Sequence, residues 1–125
     1  MANEIAVNFQ LSLKNVLLKD NYNAPSIQVD QTNADLVRNV QLISNTTQSI
    51  LDLGGVISPG YGVFSNIDTD KTNFIQIGVN DAGGNFIPFL KLQSGDQNLV
   101  KMGTAAIYAK ASTAPAKLFY LFYEE

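Results

Sequence analysis

From residue 54 onward the chain is interrupted by turn residues about every 8–12 positions, and the runs between them are short and apolar at alternate places. Gly54-Gly55, Ser58-Pro59-Gly60, Asn80-Asp81-Ala82-Gly83-Gly84, Ser94-Gly95-Asp96 and Gly103 separate Tyr61 to Ile67, Asn73 to Val79, Phe86 to Leu92, Asn98 to Met102, Ala106 to Ala111 and Ala116 to Tyr123. Alternation with period two over so few residues predicts strands rather than helices. No βαβ alternation and no exact repeat is present, which leaves an all-β fold: an antiparallel, jelly-roll-like β-sandwich. The turn chemistry adds local expectations. Pro59 and Gly60 are placed in a tight turn, Pro at i+1 and Gly at i+2. Tyr61–Ile67 and Asn73–Val79 are paired around the loop Asp68-Thr69-Asp70-Lys71. Pro88 marks its strand as an edge or the site of a bulge.

The first 53 residues differ in kind. All nine glycines lie at Gly54 or later, and ten of the twelve aromatic residues follow it, only Phe9 and Tyr22 preceding. The aromatic core is therefore expected from the later residues. The earlier ones still alternate: Ile5, Val7, Phe9, Leu11 and Leu13 share one face, which predicts a half-buried strand. Ser26 to Asp30 reads as a second strand after Pro25 restricts Ala24 to extended backbone. Residues 32–43 satisfy two patterns. Thr32-x-x-Asp35 could open a helix as a capping box, but the β-branched residues and the alternation of Leu36, Arg38, Val40 and Leu42 favour a strand over 38–43. Gln48 to Leu53 completes the set. At 125 residues the length predicts one domain over 1–125, with a Gly-free stretch over 1–53 and a Gly- and aromatic-rich stretch over 54–125.

Composition narrows the chemistry. There is no Cys and no His, so the thiolate nucleophile, the imidazole base and the commonest transition-metal ligands are missing from these residues. Eight Lys and Arg against eleven Asp and Glu give a net charge of −3, which does not favour a nucleic-acid partner. No apolar run approaches the roughly 20 residues of a membrane helix. Met1-Ala2-Asn3-Glu4 has neither the basic start nor the apolar core of an export signal. Asn, Gln, Ser and Thr together make up 36 residues, a neutral polar surface that needs little charge desolvation when subunits pack.

Individual motifs point the same way. Asp68-Thr69-Asp70 imitates the start of a calcium loop, but Asn73 and Val79 stand where that loop needs Gly and Glu. Asp81 and Asp96 sit in Gly-containing turns, where carboxylates bond local backbone, and their spacing gives no support to a glycosidase acid and nucleophile. The glycines at 54, 55, 60 and 62 lack the Gly-Lys-Ser/Thr ending of a phosphate loop. Asn45-Thr46-Thr47 matches a glycosylation triplet without an export signal. Tyr22 and Tyr61, near amide-rich turns, could stack on sugar rings. No catalytic residue, metal ligand or cofactor is expected.

The last run is the most informative. Ala116, Leu118, Tyr120 and Phe122 point one way and Lys117, Phe119, Leu121 and Tyr123 the other, so the strand is apolar on both faces and needs cover on both. Either it is central within the chain, or an N-terminal segment or a neighbouring subunit covers its second face. Phe119, Leu121 and Tyr123 are the expected interface residues.

The order of Leu51-Asp52-Leu53-Gly54-Gly55-Val56, Ser58-Pro59-Gly60, Asn66-Ile67-Asp68 and Asn73-Phe74-Ile75-Gln76-Ile77-Gly78 resembles that of small virion structural proteins of tailed bacteriophages. Pro88-Phe89-Leu90-Lys91-Leu92 with Gly95-Asp96, Ile107-Tyr108-Ala109-Lys110-Ala111 with Thr113-Ala114, and Tyr120-Leu121 running into Glu124-Glu125 extend it over residues 26 to 125. Gln97 stands where an acidic residue follows Gly95-Asp96 in the pattern, and Pro115 is a further departure. The resemblance implies a virion location and a non-enzymatic assembly role as a head decoration or other accessory subunit. The implied partners are further copies of the chain and other virion proteins. A glycan-binding tail-fibre or lectin-like module is the alternative.

Overall fold

The computed structural model describes residues 5–14, 19–29 and 35–124. Its strands are β1 (Ile5–Val7), β2 (Gln10–Lys14), β3 (Lys19–Asn23), β4 (Ile27–Val29), β5 (Leu36–Ile43), β6 (Ser49–Ile50), β7 (Pro59–Asn66), β8 (Ile75–Asn80), β9 (Phe86–Leu92), β10 (Gln97–Lys101), β11 (Tyr108–Ala111) and β12 (Ala116–Glu124). The chain divides into two compact units, Met1–Thr32 and Asn33–Glu125.

In the first unit β1 pairs with β4 and β2 with β3, both antiparallel. The single strand expected over Ile5–Leu13 is thus split in two. The break falls opposite Ala24-Pro25-Ser26, and Pro25 has no N–H to give a ladder. One bond, Ala24 N–H to the Phe9 carbonyl at 3.1 Å, carries the pairing across it. Ile5 and Val7 are buried, but β2 and β3 are exposed on both faces, because a two-stranded ladder has no second layer of its own. Asp30 and Thr32, which the sequence places at a strand end and a helix cap, lie outside the described residues, as do Met1–Glu4.

The second unit is a jelly roll. Around the β8–β9 hairpin each strand pairs with its mirror image in chain order: β7 with β10, β6 with β11, β5 with β12. Adding β7–β12 and β8–β11 gives two four-stranded antiparallel sheets, β10-β7-β12-β5 and β6-β11-β8-β9. The expected all-β antiparallel sandwich is what the chain forms, and β5 begins two residues before the strand expected over 38–43. Pro88 lies on an edge strand, and the register shifts between Ile77 and Gly78 opposite it.

Two local expectations are corrected. Pro59 and Gly60 open β7 instead of turning; the turn is at Leu53–Val56, where Gly54 has φ +58° and the Val56 N–H reaches the Leu53 carbonyl at 3.0 Å. The Glu124 carboxylate then accepts from the N–H groups of Ile57 and Ser58 at 2.9 and 3.2 Å. Tyr61–Ile67 and Asn73–Val79 are not partners either, since β7 and β8 belong to opposite sheets. Adjacency in sequence suggests a hairpin, but a jelly roll sends this connection across the sandwich.

Between the sheets lie Ile43, Phe64, Ile75, Ile77, Ile107, Leu118, Tyr120 and Phe122, all without solvent exposure. The Phe122 ring meets Phe64 edge-on, centroids 5.2 Å apart, and covers the backbone of Gly62, where a Cβ would strike that ring and the Leu121 carbonyl. Tyr120 crosses the core to a polar cluster. Its hydroxyl donates to the Asp52 carbonyl at 2.6 Å, has Gln41 Oε1 at 3.0 Å, and accepts from Asn39 Nδ2 at 3.0 Å. Burial, the largest influence, raises its pKa above the usual tyrosine value. A raised folded-state pKa means that the native state holds the proton more tightly than the unfolded state does. Stability is therefore complete below the ordinary tyrosine pKa of about 10 and declines as pH rises through and beyond it. Tyr120→Phe is expected to cost about 1–3 kcal/mol at neutral pH through the unpaired Asp52 carbonyl, and to weaken that alkaline decline, both measured by urea titration at pH 7 and above 10.

Candidate interaction surface

β12 lies between β7 and β5, and its alternate residues divide cleanly: Ala116, Leu118, Tyr120 and Phe122 are buried, while Phe119, Leu121 and Tyr123 are half-buried on the opposite face. The three residues expected at an interface thus share the outer face of the β10-β7-β12-β5 sheet. Register shows what surrounds them. Phe119 lies between Val40 and Ser65, Leu121 between Arg38 and Val63, and Tyr123 beside Leu36. Leu42 and Leu99 extend the row to the two edge strands. Leu36, Val40, Leu42 and Leu99 are 56%, 49%, 63% and 41% exposed.

Among the described residues the charged side chains at outward strand positions of this sheet are all cationic. Arg38, Lys117 and Lys101 occupy outward positions on β5, β12 and β10, and no carboxylate occupies an outward strand position there. Tyr61, one of the two tyrosines expected to stack on sugars, lies on this face with the Lys101 ammonium 5.2 Å from its ring centroid. Tyr22 belongs to the first unit, its ring 6.1 Å from that of Phe9. The face thus combines an apolar centre with cationic positions toward its margins.

The outer face of the other sheet is different. Gln48, Gln76, Asn85, Phe86, Pro88 and Lys110 line a shallow groove rich in amides. Gln48 Nε2 donates to the Gly84 carbonyl at 3.2 Å.

The carboxylates that sequence assigns to turns do turn work. Asp70 Oδ1 accepts from the Thr72 hydroxyl at 2.7 Å and its N–H at 2.9 Å; Asp81 Oδ1 accepts from the N–H groups of Gly83 and Asn85; Asp96 Oδ2 accepts from the Gln93 N–H. Bonds from Thr72 lower the Asp70 pKa, and bonds from Asn85, the backbone N–H first, lower that of Asp81. Among the described residues no three His, Cys, Asp or Glu side chains are grouped so as to hold a metal ion.

Sequence reasoning reads Asp68-Thr69-Asp70-Lys71 as a loop and opens the next strand at Asn73, but gives Asn73 no anchoring role. That residue is buried, and it fastens the loop to the turn before β12. Its Oδ1 accepts from the Ser112 hydroxyl at 2.9 Å and the Thr113 N–H at 3.0 Å, while Nδ2 donates to the Ala114 carbonyl at 2.7 Å. Asn66 does similar work, giving Nδ2 to the Leu92 carbonyl at 2.9 Å. The available signal was the inward phase of Gly62, Phe64 and Asn66: a polar residue in a core position needs a partner.

No family model and no curated protein matches the chain. A solved chain from the disulfide-linked pili of Bacillus endospore appendages aligns over 100% of this chain and 96% of its own length, at 11% identity and TM-score 0.46. The functional reading rests on the surface described above.

Proposed function

We propose that this chain is a non-enzymatic structural subunit of a tailed-bacteriophage virion, a capsid decoration or other accessory component, which associates with its own copies and docks on other virion proteins. The observation that carries the reading is the outer face of the β10-β7-β12-β5 sheet, where Phe119, Leu121 and Tyr123 are framed by exposed Leu36, Val40, Leu42 and Leu99. Burying such a face supplies the free energy of association, and a few aromatic anchors carry most of it. Arg38 and Lys117 on this face favour a partner surface with acidic edges. The virion location comes from the pattern resemblance over residues 26–125, and jelly rolls are common in capsid proteins. Fold alone does not assign the role. Gold-labelled antibody against the chain, imaged on intact phage particles, is expected to decorate the head or another fixed position; particles without label would overturn the virion assignment.

The amide-lined groove on the other sheet favours a second reading, adhesion to a neutral glycan, with Phe86 as a stacking ring and Gln48, Gln76 and Asn85 as hydrogen-bonding groups. A glycan array separates the two. Binding there, with no label on particles, would support the adhesion module.

A further inference from the structure

Four strands lie at the margins of the two sheets, and three are poor templates for another strand. β9 carries Pro88 and faces an irregular register at Ile77 and Gly78, β6 has two residues, and β10 has five. Prolines, bulges and short length are the means by which sheets keep their edges from pairing. β5 has none of them. Its eight residues pair with β12 in unbroken register from Leu36↔Tyr123 to Ile43↔Ala116, and among the described residues no strand pairs with its other side.

One hydrogen bond tells which main-chain groups face that open side. The Val40 N–H donates to Oδ1 of Asn39 at 2.9 Å rather than to a carbonyl of β12. In an antiparallel ladder, residues that turn both N–H and C=O away from the partner strand recur at every second position. Leu36, Arg38, Val40 and Leu42 therefore present their backbone groups to the open edge, and their side chains stand on the outer apolar face.

We propose that the β5 edges of two copies pair antiparallel about a twofold axis at Asn39, joining two four-stranded sheets into one of eight strands. The proposal rests on the reading of the chain as a self-associating subunit. The register follows from the backbone: to exchange hydrogen bonds, outward residues must oppose outward residues. An axis at Asn39 sets Leu36 opposite Leu42 and Arg38 opposite Val40, so all four are used, two apolar side chains meet, and the Val40 N–H exchanges Asn39 Oδ1 for the Arg38 carbonyl of the other copy. An axis at Arg38 would oppose two like charges and leave Leu42 unpaired. An axis at Val40 would leave Leu36 unpaired. A β10 edge, with five residues against eight, would leave some of β5 open. The contact is self-complementary and closes at two copies, as a twofold contact must, and it makes the apolar outer face continuous across the pair.

Single cysteines test it cleanly, because the chain has none. At the axis Asn39 faces its own copy in a non-hydrogen-bonded pair, where Cα atoms lie about 4.5 Å apart and a disulfide is allowed. Under mild oxidation Asn39→Cys is expected to run mostly as a disulfide-linked dimer on a non-reducing gel. Gln41→Cys, which faces Val37 in this register, is expected to remain single. Val40→Pro removes an N–H on the open side, whose one bond within the chain is the exposed one to Asn39 Oδ1, and is expected to leave a folded monomer by thermal melt and sedimentation velocity. A wild-type protein that sediments as an oligomer while Asn39→Cys stays uncrosslinked and Val40→Pro still associates would overturn edge pairing and leave self-association standing. A wild-type monomer at every concentration would overturn both. Crosslinking of Gln41→Cys in place of Asn39→Cys would overturn the register.

Discussion

Phe122→Ala is expected to lower the stability of the sandwich by about 3–5 kcal/mol, the range for truncating a fully buried aromatic ring. Three features place it in that range. Phe122 has no solvent exposure, its ring meets Phe64 at 5.2 Å and 71°, and it covers Gly62, whose missing side chain can add nothing to the space left behind. The strand on which it sits is held from both sides, by β5 and β7, so the backbone has little freedom to collapse into the cavity. Urea unfolding should show a lower midpoint with an unchanged slope. A loss under about 1 kcal/mol would mean that the ring is not the packing centre described here.

Three residues earlier on the same strand the expected effect is of another kind. Phe119 is half-buried on the outer face, beside Val40 and Ser65. Phe119→Ser should cost the fold far less than Phe122→Ala, because no closed cavity forms at a surface position. Its cost should fall on docking. Truncating an aromatic anchor at the centre of an interface removes about 2 kcal/mol or more of binding free energy, about a thirtyfold loss of affinity. The open edge of β5 is untouched by this change, so pairing at Asn39 should persist while docking of the face is lost.

The strands of the sandwich were legible because each carries a local signal. Period-two alternation in Ala116–Tyr123 gives both faces of β12, and Gly84 and Gly95, at φ +81° and +86°, mark turns that the Gly-containing motifs predict. Pro88 gives the edge because a missing N–H is visible in sequence. Sheet membership was not legible. Whether β7 pairs with β8 or with β10 and β12 depends on contacts distant in sequence, and the 68–73 loop that separates β7 from β8 is held by Asn73, whose partners lie about 40 residues away in sequence. The alternation over Ile5–Leu13 correctly signals strand but not burial: a periodic apolar face states which side is apolar, not that anything covers it. The same reasoning put Phe119, Leu121 and Tyr123 on the outer face, since a strand apolar on both faces has one face more than its own core uses. Their neighbours Leu36, Val40, Leu42 and Leu99 come from other strands and become one surface with them only through register.

Co-sedimentation with phage particles addresses the functional account most directly. Purified wild-type protein and Phe119→Ser are each mixed with particles and spun, with thermal melts in parallel to show that both are folded. The wild type should pellet with the particles, and Phe119→Ser should stay in the supernatant with a melt close to that of the wild type. A Phe119→Ser protein that pellets as fully as the wild type, or a folded wild type that never pellets, would contradict the assignment of this face as the docking surface.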